Sequence, residues 1–171
     1  KAPDLPITPI VIIYDNDVHC AVDGYAKLAA VRSSYRKKTN HVATVSCGDF
    51  VQGDIVGTVT RGEGIIDIMN YVGYDVVTLG NHEFDFGMEQ MLSLTESLEA
   101  DVVNANFSDL RSGKLLFEPY TIKRFGNVDI AFIGVTTPST IESVAYTTFT
   151  DDEGNLIYSF NNDNFYEEIQ R

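Results

Sequence analysis

Aspartate, histidine and asparagine side chains gather in three short stretches of this chain, at residues 15–19, 47–49 and 80–85. Each stretch directly follows a run of apolar, largely β-branched residues. The runs cover residues 10–14, 42–46 and 76–79. Short runs of this kind predict buried strands. Ligands of open α/β sheets bind beyond the carboxyl ends of the strands, so the sequence predicts a functional site at one edge of a sheet.

The first two stretches contain side chains that could bind metal ions. Asp17 and His19 are two residues apart, and in an extended segment such side chains point the same way, which suits two ligands of one ion. This pair is common by chance, and a loop aspartate beside a surface histidine is the alternative interpretation. Asp49 could simply cap a turn. Beside Asp17 and His19 it could instead bridge two cations about 3.5–4 Å apart, an arrangement found in phosphatases and nucleases.

The third stretch combines a candidate metal ligand with a candidate acid–base pair. Asn81 either offers a carbonyl oxygen to a metal ion or forms a turn after Gly80. Asp85 can accept a hydrogen bond from one ring nitrogen of His82 and direct the other nitrogen outward, as a catalytic histidine requires. The alternative is that the carboxylate serves packing alone, by accepting the hydrogen bond of a histidine that has no catalytic role. Glu83 is either a group that supports the site or a surface charge.

The intervening sequence predicts alternating helices and strands. Apolar residues at helical spacing predict helices over residues 25–38, 65–72 and 88–98. A fourth strand is predicted at residues 102–106. This order indicates an α/β fold, with helices packed against a mixed sheet.

The sequence pattern changes after the fourth predicted strand. Strand-like segments at residues 120–125 and 128–134 are joined by Gly126-Asn127, which is typical of a tight antiparallel hairpin. Residues 147–164 are polar and predict a long surface loop. Residues 165–171 predict the start of a helix.

Length and charge restrict the classes of function. The chain has 171 residues, a formal net charge of −13 and three histidines. A strongly acidic surface repels a nucleic-acid polymer, but a bound dication reverses the local sign and permits small phosphorylated substrates. There is no run of about 18 apolar residues, so no membrane span is predicted. Two cysteines, Cys20 and Cys47, are too few for a disulfide framework, and the sequence leaves open whether they are bridged.

Taken together, the motifs resemble the signature of the calcineurin-like metallophosphoesterases. They are Asn16-Asp17-Val18-His19, Gly48-Asp49-Phe50-Val51-Gln52-Gly53 and Gly80-Asn81-His82-Glu83-Phe84-Asp85. The segment Gly134-Val135-Thr136-Thr137-Pro138 adds a resemblance to the 5′-nucleotidase branch of that superfamily. This branch includes UDP-sugar hydrolases and 2′,3′-cyclic nucleotide phosphodiesterases.

The resemblance implies a four-layer α/β/β/α sandwich around two divalent metal ions. The ligands that it implies are Asp17 and His19 for the first ion, Asp49 for both and Asn81 for the second. His82, oriented by Asp85, would contact the phosphoryl group while a metal-bound hydroxide attacks phosphorus in line. Mixed nitrogen and oxygen ligands permit Mn, Zn, Fe or Co. The implied substrate is a phosphate ester, most of all a nucleotide, and the implied location is the periplasm, the cell surface or the secreted medium.

Two departures from the family pattern affect these expectations. Cys20 stands where the family has glycine, and no histidine follows His82, although the family completes its site with later histidines. The resemblance therefore implies that residues 1–171 are the N-terminal portion of a catalytic domain. The remainder of that domain and a C-terminal substrate domain would lie elsewhere. We expect these residues alone to bind metal poorly and to be inactive.

Other functions remain open within and outside the enzymes. A thiosulfohydrolase resembles this branch and uses manganese, and a UDP-sugar or cyclic-nucleotide hydrolase would carry the same motifs. A non-catalytic binding module on the same scaffold is the alternative from a different class. The presence of all six candidate residues argues against that module; they are Asp17, His19, Asp49, Asn81, His82 and Asp85.

Overall fold

The structure, a computed structural model, describes residues 8–160. Four parallel strands form one sheet in chain order, and they are β1 (Val11–Asp15), β2 (Val42–Ser46), β3 (Val76–Val77) and β4 (Asp101–Val102). The helices of the described residues are α1 (Val22–Arg36), α2 (Ile55–Thr60), α3 (Glu63–Val72), α4 (Met88–Ser97) and α5 (Thr140–Ser143). The alternation of strands and helices that the sequence predicts is therefore confirmed over the first hundred residues.

The parallel register brings three strand ends to one edge of the sheet. Asp15, the last residue of β1, pairs with Ser46, the last residue of β2, and Ser46 in turn pairs with Val77 at the end of β3. The backbone N–H of Thr78 continues this ladder by donating to the Ser46 carbonyl at 3.0 Å. The loops that follow β1, β2 and β3 therefore leave the sheet side by side.

Helix α3 packs an apolar face on the parallel sheet. Ile65, Met69 and Val72 recur at helical spacing and are buried, in a core cluster that also contains residues from α1, α4 and the loop after β2. The helix ends at Gly73, which has a φ of 83°, as the sequence predicts.

Helix α2 is not predicted by the periodicity. It is only six residues long, and Asp54 begins it by accepting the N–H of Ile55 at 2.6 Å.

The predicted hairpin is confirmed. Strands β7 (Tyr120–Phe125) and β8 (Val128–Ile133) pair antiparallel, and Gly126 occupies the first turn position with a φ of 64°. These strands form a ladder of their own beside the parallel sheet. The α/β fold with both parallel and antiparallel strands is thus as expected.

The prediction of a long surface loop at residues 147–164 is wrong at both ends of the described part, whereas residues 152–156 form an exposed turn as predicted. Tyr146–Phe149 forms a 3₁₀ turn, and strand β9 (Tyr158–Ser159) joins a three-stranded antiparallel sheet with β5 (Ser108–Asp109) and β6 (Lys114–Leu115). The physical reason is a cluster of fully buried phenylalanines that anchors both ends of the segment. These residues are Phe84, Phe107, Phe149 and Phe160. Residues 161–164 and the helix predicted at 165–171 lie outside the described residues.

A buried polar network joins the exit of the hairpin to the loop after β3. The hydroxyl of Thr136 donates to the Leu79 carbonyl at 2.6 Å and accepts from the Asn104 side chain at 2.7 Å. The Asn106 carboxamide donates to the carbonyls of Thr136 and Phe160 and accepts the Thr136 N–H. Buried polar groups that are satisfied in this way fix the relative position of the segments they connect.

No helix among residues 8–160 is long and apolar enough to cross a membrane.

Candidate metal centre

The three loops at the sheet edge are fastened to one another by hydrogen bonds. The N–H of Asp17 donates to the Gly48 carbonyl at 3.2 Å, and the N–H of His19 donates to the Asp49 carbonyl at 2.9 Å. The N–H of His82 donates to Oδ1 of Asp49 at 2.8 Å. Residues far apart in the chain are therefore held within one small region, as the strand pattern predicts.

Backbone strain is concentrated in the same loops. Asp17, His19, Cys20 and Asp49 adopt φ values of 55°, 47°, 61° and 58°. Among the described residues only one other non-glycine residue, Arg61, has a positive φ. A left-handed conformation of a non-glycine residue costs of the order of 1–3 kcal/mol and occurs preferentially at functional sites. The conformation of Cys20 also accounts for the expectation of glycine at that position.

The loops after β2 and β3 approach so closely that glycine is required in both. A Cβ atom on Gly48 would lie 2.2 Å from the backbone nitrogen of Gly80. A Cβ atom on Gly80 would lie 2.3 Å from Oδ1 of Asp49. Both distances are far inside van der Waals contact, so the backbone of one loop lies directly against the Asp49 carboxylate.

His19 has the geometry of a metal-binding histidine. Its Nδ1–H donates to the Gln52 carbonyl at 3.0 Å, which leaves Nε2 as the free donor atom. Nε2 lies 3.6 Å from Oδ1 of Asp17. The predicted pairing of these side chains is present, but not through an extended segment, because Asp17 and His19 both lie in left-handed turns.

His82 is oriented by Asp85. Nδ1–H of His82 donates to Oδ2 of Asp85 at 2.7 Å, so Nε2 is the ring atom available to other groups. Burial lowers the pKa of His82, but the hydrogen bond and charge of Asp85, together with the charges of Asp49 and Glu83, outweigh this, so the pKa is raised above its usual value. The proton on His82 is therefore retained more strongly than on a free imidazole.

Asp49 lies close to both histidines. The candidate ligand atoms of His19, Asp49 and His82 are all within 4.8 Å of one another, and the two imidazole rings contact edge to face with centroids 4.9 Å apart. Burial raises the pKa of Asp49; the His82 N–H opposes this shift, and the Asp17 carboxylate adds to it. Carboxylates crowded in this way favour a nearby cation.

The donor set fits a divalent metal ion. Imidazole nitrogen and carboxylate oxygen together suit Mn, Fe, Zn or Co, and the Gln52 carbonyl supplies the outer hydrogen bond that a ligating histidine usually makes. The structure places Asp17, His19, Asp49, His82 and Asp85 in one group. Asn81, the remaining sequence-predicted residue, is half-buried and immediately precedes the 3₁₀ turn His82–Phe84.

Two residues of uncertain role in the sequence have defined positions. Glu83 is buried and accepts backbone N–H groups of both neighbouring loops. Burial raises the pKa of Glu83, and the N–H donors of Phe50, Asp49 and Gly80 oppose that shift. In the sequence, the position of Glu83 directly after His82 is the only signal of this role. Cys20 is also buried, and its thiol donates to the Phe50 carbonyl at 3.2 Å rather than facing the ligands. Both cysteines are free.

Comparison with known proteins identifies relatives over most of this chain. The family model of the calcineurin-like phosphoesterases matches residues 10–169. The chain is 31% identical to 5′-nucleotidase of Bos taurus over 155 residues, which is 77% of this chain and 27% of the bovine protein. The chain thus spans about a quarter of the length of such relatives.

Solved structures show the same fold. The NAD nucleotidase of Haemophilus influenzae superimposes with a TM-score of 0.74 at 26% identity, over 89% of this chain and 29% of that protein. A sulfate thiohydrolase of Thermus thermophilus superimposes with a TM-score of 0.75 over 97% of this chain and 42% of that protein, but at only 16% identity. The second likeness concerns the fold alone.

Proposed function

The chain belongs to the calcineurin-like phosphoesterase family, and we propose that it forms the N-terminal part of a catalytic domain that hydrolyses small phosphate esters, above all nucleotides. The observation that carries this proposal is the convergence of His19, Asp49 and His82, whose donor atoms lie within 4.8 Å of one another. The nucleotide preference is supported by the bovine 5′-nucleotidase and the NAD nucleotidase among its relatives. Other parts of a longer protein would complete the ligands and the substrate pocket.

Two divalent cations are the proposed cofactors. The residues that would hold them are Asp17, His19, Asp49 and Asn81. When bound, the cations supply Lewis-acid activation of the attacking water and neutralise charge on the phosphoryl group. The left-handed turns at Asp17, His19 and Asp49 constrain the directions of these side chains, and a metal site needs preorganised ligands.

His82 is the proposed catalytic residue. Because Asp85 holds Nδ1, the Nε2–H of His82 would donate a hydrogen bond to a phosphoryl oxygen or a proton to the leaving oxygen. Without bound metal ions, the hydrogen bond and charge of Asp85 outweigh burial and raise the pKa of His82, which favours the protonated form. We place this chemistry outside the cytoplasm, in the periplasm, at the cell surface or in the secreted medium, as the resemblance implies.

A substrate panel tests the proposal. The full-length protein is incubated with Mn²⁺ or Zn²⁺ and with AMP, a UDP-sugar, a 2′,3′-cyclic nucleotide or a thiosulfate-type substrate. We expect release of phosphate from AMP, and its loss in His82→Ala. Exclusive turnover of another substrate would move the assignment to the corresponding hydrolase. Failure to hydrolyse any of them with metal bound would favour a binding module.

A further inference from the structure

Glu83 is buried at the contact between the loops after β2 and β3. Its side chain is 2% exposed, and it is the only charged side chain among the buried residues that the structure describes. A carboxylate is costly to bury unless hydrogen bonds replace its lost hydration. Its partners therefore indicate why the chain places it there.

Each carboxylate oxygen of Glu83 accepts two backbone N–H groups. Oε1 accepts from Phe50 at 2.8 Å and from Val51 at 3.4 Å. Oε2 accepts from Asp49 at 2.9 Å and from Gly80 at 2.7 Å. Three of these donors belong to the loop after β2, whereas Gly80 belongs to the loop after β3. One side chain thus joins the two loops across 33 residues of sequence.

These contacts leave the Asp49 carboxylate free for other partners. An aspartate in a turn commonly accepts the backbone N–H groups of its own loop. Here Glu83 takes the N–H groups of Asp49, Phe50 and Val51 instead. The carboxylate of Asp49 points across to the third loop, where Oδ1 accepts the N–H of His82.

We infer that Glu83 is a positioning residue of the metal centre: its carboxylate clamps the loop that bears Asp49 to the loop that bears Asn81 and His82. The clamp sets the separation of the bridging carboxylate from the other ligand and from the catalytic histidine. Its consequence for turnover rests on the proposed function, whereas its consequence for the two loops does not.

Three variants of the full-length protein separate positioning from general stability. Glu83→Gln keeps the size of the side chain but replaces one acceptor oxygen with an NH₂ group that faces N–H donors. Glu83→Asp keeps the charge but is too short for both loops, so it retains the bond to nearby Gly80 and releases the bonds to residues 49–51. Phe125→Ala is the matched control, because Phe125 is buried against His41 at the opposite edge of the sheet.

Amide hydrogen exchange and Mn²⁺ binding are the primary measurements. In Glu83→Gln we expect exchange of the Asp49, Phe50 and Gly80 amides to accelerate about tenfold or more. We expect Mn²⁺ affinity, measured by electron paramagnetic resonance, to weaken by about 10–100-fold. We also expect kcat to fall by a larger factor than the factor by which KM changes. Phe125→Ala should lower Tm and leave all of these readouts unchanged.

The same experiment contains the results that would overturn the inference. Native protection of the three amides together with native Mn²⁺ affinity in Glu83→Gln would exclude a positioning role. If Glu83→Gln does not fold, Glu83→Asp decides. In that variant the amides of residues 49 and 50 should exchange faster than in the wild type, and the amide of residue 80 should not. The same change in exchange rate at all three residues would contradict the clamp. If the wild-type protein hydrolyses no phosphate ester, the proposed function fails, whereas amide exchange and Mn²⁺ binding still decide the role of Glu83.

Discussion

Two acidic loops of this molecule contain the same residue type in opposite environments. In the turn at residues 151–155, Oδ1 of Asp151 accepts the N–H groups of Glu153 at 3.0 Å and Asn155 at 2.8 Å. These donors lower the pKa of Asp151. At the sheet edge, burial raises the pKa of Asp49, and the neighbouring N–H groups go to Glu83 instead.

The difference shows what makes a carboxylate available for a cation. Asp151 is satisfied by its own turn, so its lone pairs have little need of another partner. Asp49 is held in a left-handed conformation beside Asp17 and two histidines, and another carboxylate occupies its local donors. The partners of the backbone N–H groups therefore distinguish a candidate metal site from a solvated turn, whereas the density of acidic residues does not.

The largest expected effect comes from removing the charge of Asp49. Asp49→Asn keeps an acceptor for the His82 N–H but removes the negative charge of the proposed bridging ligand, and metal stabilisation of the transition state is worth several kcal/mol. We expect phosphate release from AMP to fall about 10³-fold. The Tm of the metal-free protein should not fall, because crowding of carboxylates is relieved. A variant with wild-type kcat would remove Asp49 from the centre.

A smaller effect is expected from Asp85→Asn, which weakens the support of His82. We expect kcat to fall about 10–100-fold and the pKa of His82, measured by NMR titration of the metal-free protein, to decrease. The raised pKa of His82 stabilises the fold fully below the unfolded value of about 6.5, and this contribution is lost as the pH rises through the folded value. The variant should therefore lose more Tm at pH 5.5 than at pH 9. An equal loss at both values would contradict the pairing.

Thr136→Val tests whether the site depends on the network behind it. The substitution leaves the buried Leu79 carbonyl and the Asn104 side-chain amide without the hydroxyl of Thr136. We expect unfolding in urea to show a loss of about 1–3 kcal/mol, with kcat reduced less than tenfold. Unchanged stability would show that the network does not fasten the third loop.

The smallest effect is expected in the acidic turn. Asp151→Asn should lower Tm slightly, because Oδ1 accepts two backbone N–H groups there. Phosphate release and Mn²⁺ affinity should remain at the wild-type level. Loss of metal binding in this variant would reverse the comparison between the two loops.

Local sequence patterns predict the sheet edge but not the contacts that shape it. The apolar runs before Asp15, Cys47 and Gly80 are sufficient to place three loops together, since parallel strands end at a common edge. The spacing of His82 and Asp85 is sufficient to suggest their hydrogen bond. These features depend on short-range periodicity, which a single sequence displays.

The features that the sequence does not predict depend on long-range partners. The bonds of Glu83 span more than thirty residues, and the buried positions of Phe149 and Phe160 depend on Phe107 in a distant segment. The left-handed turn at Asp17 follows from fastening to Gly48 in another loop. No local periodicity encodes these contacts.

Anomalous diffraction from crystals of the full-length protein grown with Mn²⁺ would locate the metal ions directly. We expect two anomalous peaks about 3.5–4 Å apart, one bonded to Asp17, His19 and Asp49 and the other to Asp49 and Asn81. His82 should lie beside both without displacing a ligand. Peaks confined to the turn at residues 151–155, or bound Mn²⁺ with none beside His19 and Asp49, would contradict this expectation.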